Sequence, residues 1–286
     1  MKIAWLLILA FGALAAAQSK KSIPEFIHGE ECLFCHRGDI GLTWQQNIHG
    51  LTLLQREFRP ALEQRLSPPK EVQFFLGARN HIRLLKQAGY GKLAIWDART
   101  SSWDPERFQL RCAGCHTTAY DSDTKTYAYL GLDCYTCHGP LPQEHANNPE
   151  TAFLSKRKIQ DPRQVTAACA QCHLRGGKSR TTGLPFPYNY AAPGNLFDDF
   201  QVNLALADDK TLNPGDRHVY RNVRDVIQKG ATSVTCLTCH TIHKQSTNGH
   251  WRAYKTTTSA PICFDCHATE GKYTPGYVVH SALCEY

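Results

Sequence analysis

The stretch CYTCHGPLPQEH, residues 134–145, opens with two cysteines three positions apart and a histidine directly after the second. The same C-x-x-C-H pattern returns as CLFCH at 32–36, CAGCH at 112–116, CAQCH at 169–173, CLTCH at 236–240 and CFDCH at 263–267. From composition alone the pattern would arise about 0.03 times in this chain, so six copies are a built feature. Two thiols on one helical turn reach the two vinyl groups of a haem as thioethers, and the adjacent imidazole then faces the iron. The motifs use twelve of the 13 cysteines: Cys32, Cys35, Cys112, Cys115, Cys134, Cys137, Cys169, Cys172, Cys236, Cys239, Cys263 and Cys266. The proximal ligands are then His36, His116, His138, His173, His240 and His267, and the expected cofactor is six covalently attached haem c groups.

Two other uses of paired cysteines fit less well. A disulfide framework needs no histidine after every second cysteine and belongs to much shorter secreted domains. Zinc knuckles also leave the six trailing histidines unexplained, and they favour reducing compartments. The thirteenth cysteine, Cys284, is left for an intermolecular disulfide or an unpaired terminal thiol.

The only methionine is Met1, so no haem can take the His/Met ligation that raises the potential of small cytochromes c. The sixth ligand is therefore His, a weaker donor such as Lys or Tyr, or an open position holding water. Eight of the 14 histidines remain after the six proximal ones, enough for bis-His ligation throughout.

The block at 134–145, the run CLTCHTIH at 236–243, and CAQCHLRGG followed by PFPYNYAAPGNLFDDF resemble segments of the multihaem cytochromes c. That family includes the tetrahaem carrier partnering hydroxylamine oxidoreductase. Leu141 and Ile242 stand where its blocks usually have Gly and Pro. The resemblance implies that the histidine trailing each block binds a haem from the distal side, here His145 and His243. TWQQNIHG resembles the W-x-x-x-x-H stretch that donates a distal ligand after the first motif, which points to His49. His218 stands at the head of the helix expected at 217–229, which leads into Cys236, and His280 trails the last motif. His81, in GARNHIRLLKQAGYGKL, completes the set of six; His28 and His250 are further candidates, although His28 is too close to Cys32 to reach the far face of its own haem.

The N-terminus has Lys2, an apolar run over residues 3–15 and Ala15-Ala16-Ala17 before Gln18, the pattern of a cleaved secretory signal peptide at 1–17. The run is short for a membrane span, and no cysteine follows it directly as in a lipoprotein. The expected location is periplasmic or extracellular, an oxidising compartment. A formal charge of +7 could mark a nucleic-acid or membrane surface. Each ferric bis-His haem, however, brings about −1 from two propionates against one net positive iron porphyrin. The basic excess is then propionate compensation, and no nucleic acid is expected as partner.

Helices are expected over 43–58, 70–89 and 217–229, with loops at 67–69 and 184–193, and little reads as alternating strand. The fold class is therefore mainly α with much irregular loop. Residues 18–286 would form one hexahaem domain with about 45 residues per haem, too few for separate cores. The core is then closely packed haem. The leading functional reading is a secreted electron relay between redox partner proteins, not membrane-spanning after cleavage, with association with a membrane complex left open. Two others stay open: a reductase or oxidase of a small nitrogen or sulfur compound with one open haem, and a homo-oligomeric or extracellular filament subunit. Six regular motifs and a sufficient histidine supply favour the carrier, with no catalytic residue assigned.

Overall fold

The computed structural model of the chain describes residues 20–44, 47–77, 82–212, 214–230, 235–240 and 242–243. The signal-peptide stretch, His81, the Cys239 side chain and the whole region holding His250, Cys263, Cys266, His267, His280 and Cys284 lie outside it. The helices are α1 (Gly29–His36), α2 (Leu42–Trp44), α3 (Pro60–Leu66), α4 (Arg107–Arg111), α5 (Ala113–His116), α6 (Cys134–His138), α7 (Pro162–His173), α8 (Pro214–Ile227) and α9 (Cys236–Cys239).

Between the first two motifs the chain folds into a meander. Strands β1 (Leu53–Gln55), β2 (Phe74–Leu76), β3 (Arg83–Gln87), β4 (Leu93–Asp97) and β5 (Ser102–Asp104) pair antiparallel in sequence order. The register sets Leu53 opposite Leu76, and Leu85 between Phe74 and Ile95. Side chains on a strand alternate between faces, and β3 shows it directly. Leu85 packs with Leu53, Leu76, Leu93, Ile95, Phe108, Ala113, Tyr120 and Phe186, whereas its neighbour Leu84 packs with Leu62, Val72 and Phe75. Cys112 and Cys115 rest on the Leu85 side, so the sheet is the floor under the second motif.

A hairpin of β6 (Thr117–Asp121) and β7 (Thr126–Leu130) links the second motif to the third. Its strands leave His116 directly and return just before the Asp133 cap of α6, fixing how far apart the two attachment turns sit. Helix α7 starts at Asp161, whose carboxylate accepts from Arg163 N at 2.9 Å, with Pro162 in the first turn. It packs on α8 through Ala167, Ala170, Tyr220 and Val223, joined by Leu196 and Phe200. Phe200 lies on β9 (Phe200–Gln201), which pairs with β8 (Lys178–Ser179).

Three sequence expectations change here. Residues 43–58 are not one helix: α2 ends at Trp44, and β1 and a 3-10 turn at Arg56–Phe58 follow. Residues 70–89 form β2 and β3 rather than a helix, and among the described residues short helices are combined with three sheets. Strands of three to five residues are too short to separate a two-residue period from a helical one. The expectation of a core made only of haem also gives way, because four clusters of buried side chains flank the motifs. Helix α8 does cover the helix expected at 217–229 except for its last two residues.

Candidate haem sites

In α1, α5, α6 and α7 the motif histidine is the last helical residue, and in α9 it is the C-cap. Each motif is therefore one closing turn, which puts its two cysteines and its imidazole on one local surface. Three of the turns start on side-chain caps. His28 Nδ1 accepts from Glu30 N at 3.1 Å, Asp133 Oδ1 accepts from Tyr135 N at 2.9 Å, and Thr235 forms a reciprocal capping box with Thr238. Asp133 does more than cap α6. Its Oδ2 accepts from Gly29 N at 3.1 Å, so one buried carboxyl holds the N-terminal ends of α1 and α6 together.

The five described motifs converge. The Cys32 thiol contacts Cys134, Cys115 contacts Cys172, and Cys169 contacts Cys236. Gln171 Nε2 donates to Thr136 O at 3.1 Å, and the Thr118 and Thr136 hydroxyls lie 2.8 Å apart. Gly114, Tyr135, Thr136, Gln171 and Tyr190 line a small cleft where the second, third and fourth motifs meet. The fourth motif, on α7, thus adjoins the second, third and fifth, while the first joins through the third.

Burial sets the protonation of several motif groups. Burial pushes the Cys112 and Cys137 thiols up to about 11. The hydrogen bond with Cys134 draws Cys32 down to about 7. Burial, reinforced by the Arg175 charge, takes His116 down to about 4, and burial also lowers His138. Both imidazoles are neutral near pH 7, as a metal ligand must be.

Two pairs of imidazole rings lie near each other. The His49 and His173 ring centroids are 6.0 Å apart with planes at 79°. Those of His138 and His243 are also 6.0 Å apart, with planes at 12°. Metal–imidazole bonds are about 2.0–2.1 Å long, so one metal ion held between two Nε2 atoms sets ring centres about 6 Å apart. Each pair joins a motif histidine to one of the histidines expected on the distal side. The tautomers agree with this. His138 Nδ1 lies 2.9 Å from Phe153 O and His145 Nδ1 3.0 Å from Pro142 O. A backbone carbonyl can only accept, so Nδ1 carries the proton and Nε2 is left as the ligand atom. The donor set, two neutral imidazoles beside two thiols, fits a covalently held iron porphyrin.

The other named residues are placed as follows. His36 and Cys35 are exposed at the end of α1 beside Phe34, which is 91% exposed. His116 Nδ1 is buried without a hydrogen-bond partner among the described residues. His145 lies on a 3-10 turn, Gln143–Ala146, and His218 lies on α8. Sequence reasoning missed Asn47, Asp133 and Phe153. Asp133 had a readable signal, an N-cap residue directly before a motif helix. Phe153 acts through its carbonyl, which no sequence pattern marks.

A family described as cytochrome c3 matches residues 106–182, which hold the second, third and fourth motifs. Among solved structures the chain is similar to an undecaheme cytochrome from the S-layer of Carboxydothermus ferrireducens. The identity is 16%, the TM-score 0.46, and the match covers 88% of this chain and 44% of that one. The chain thus spans less than half the length of that protein. No curated protein sequence matches this chain. Three C-x-x-C-H motifs lie inside the matched residues, so this stretch is similar to a multihaem cytochrome with covalently bound haem c. No helix among the described residues is long and apolar enough to cross a membrane.

Proposed function

We propose that all six motifs carry haem c and that the protein relays electrons between donor and acceptor proteins in the periplasm or outside the cell. In this reading the signal peptide at 1–17 is removed and residues 18–286 act as one hexahaem domain. The observation that carries it is the pair of imidazole couples 6.0 Å apart, set within a cluster of touching motifs. His173 and His49 would hold one iron and His138 and His243 another. His145, His218, His81 and His280 are left to serve the haems of His36, His116, His240 and His267.

Bound haem supplies one-electron redox chemistry at its iron. The chain's own work is attachment, orientation and tuning. Nδ1–H groups that donate to carbonyls make the imidazoles more basic, favouring the ferric state and a low potential. The α7 motif is the branch point of the attachment scaffold. Among the described motifs the first, with Phe34, Cys35 and His36 at the surface, offers an end to a partner.

A haem count with the ferric spin states of the purified protein tests this reading. Six haems by intact mass and pyridine haemochrome, all low-spin, are expected. Fewer than six would break the hexahaem claim. A high-spin ferric signal from one haem would replace the relay by an enzyme with an open iron.

A further inference from the structure

Asn47 is fully buried, and both ends of its amide are engaged. Oδ1 accepts from His49 N at 2.9 Å and lies 3.3 Å from His49 Nδ1, while Nδ2 donates to Ile242 O. The orientation of this amide is unambiguous. A backbone N–H can only donate and a carbonyl can only accept, so exchanging oxygen and nitrogen would spoil both contacts. With Oδ1 against it, His49 Nδ1 is the protonated nitrogen and Nε2 keeps its lone pair. At the other end, Ile242 immediately precedes His243. One side chain therefore touches both chain segments that bring a histidine ring within 6.0 Å of a motif imidazole.

We infer that Asn47 is the positioning residue for the distal side of two haems at once. Its carbonyl oxygen sets the tautomer and plane of His49 opposite His173, and its amide N–H anchors the backbone that delivers His243 opposite His138. This rests on the bis-His reading above and adds to it a shared support between two ligand sets that differ in geometry. The planes stand at 79° in one pair and 12° in the other. Ligand planes near perpendicular leave two iron d orbitals almost degenerate and give a highly anisotropic low-spin ferric resonance. Near-parallel planes split those orbitals and give an ordinary rhombic resonance. The two haems are thus separable by electron paramagnetic resonance in the intact protein.

The test compares oxidised wild-type holoprotein with Asn47→Leu and Asn47→Asp, each with its haem count. The two resonances are assigned by their loss in His49→Ala and in His243→Ala. Asn47→Leu removes both contacts in a similar volume and is expected to move both resonances with the haem count unchanged. It should also raise the midpoint potential of the His49 haem, because Nδ1–H loses its acceptor. Asn47→Asp keeps the oxygen facing His49 and loses the N–H facing Ile242. The anisotropic resonance should stay, its haem should titrate at a lower potential, and the rhombic resonance should move. If Asn47→Leu yields no holoprotein, Asn47→Asp alone decides. Wild-type positions for both resonances in Asn47→Leu, or for the rhombic one in Asn47→Asp, would overturn the inference. A wild-type protein with six low-spin haems and silent Asn47 variants refutes only this assignment, whereas missing or high-spin haems in the wild type refute the bis-His reading itself.

Discussion

At Gly139, the residue after the third motif, φ is +65° and ψ is −161°, a conformation open essentially to glycine alone. A Cβ there would also stand 1.7 Å from Ala192 O, where backbone meets backbone and no side chain can yield. Gly139→Ala is expected to cost at least about 1–3 kcal/mol from conformation alone, with the clash in addition. It should lower the melting temperature and the haem yield of the third motif. Gly183→Ala, also at positive φ but with open space around its Cβ position, is the control, and its smaller loss isolates the contact with Ala192. Asp133 sets a pH dependence. Burial raises its carboxyl above the usual 3.8, although the N–H groups of Gly29 and Tyr135 partly offset this. A raised folded-state value favours the protonated form, so this group stabilises the fold at low pH and loses that contribution as pH rises through its folded value. Denaturant unfolding of wild type and Asp133→Asn between pH 7 and 4 should show the wild type gaining relative to the variant as pH falls. A constant difference would refute it. The attachment residues were legible because the haem demands them in a fixed order. Asn47 and Phe153 were not, because what they offer is an amide and a carbonyl that any fold contains.

Elements were legible in proportion to their length. Over the 14 residues of α8 the helical period repeats enough to stand out, whereas β1 and β2 have three residues each and give no period to count. Residues 70–89 look helical because Val72, Phe75 and Leu76 recur at helical spacing. In the fold they are strand and loop residues whose burial is set by sheet neighbours, so tertiary pairing overrides the local pattern. That sheet supports the second motif. Leu85 is fully buried at its centre, and Leu85→Ala is expected to cost about 2–5 kcal/mol. Because Cys112 and Cys115 rest on the same cluster, the variant should lose haem from the 112–116 peptide before the 169–173 peptide. Mass spectrometry of the proteolysed protein distinguishes them, and equal loss at both would show that the sheet is no local support.

On the scale of the molecule, charge and redox state are coupled. In the proposed hexahaem form, six ferric haems at about −1 each would offset the basic excess of the chain and bring the holoprotein near neutrality. Full reduction adds one negative charge per haem, so retention on an anion exchanger should increase on reduction and return on reoxidation. Retention independent of redox state would contradict the charge assignment. The arrangement around α7 also has a consequence for how the protein is made. Cys32 meets Cys134, Cys115 meets Cys172 and Cys169 meets Cys236, each pair drawn from motifs far apart along the chain. Thiols brought together outside the cytoplasm oxidise to disulfides. A chain that compacted first would staple its motifs to one another and shut the cofactor out. In the proposed secreted protein maturation would then have an order: reduced thiols and thioether formation first, and the final collapse of the scaffold last.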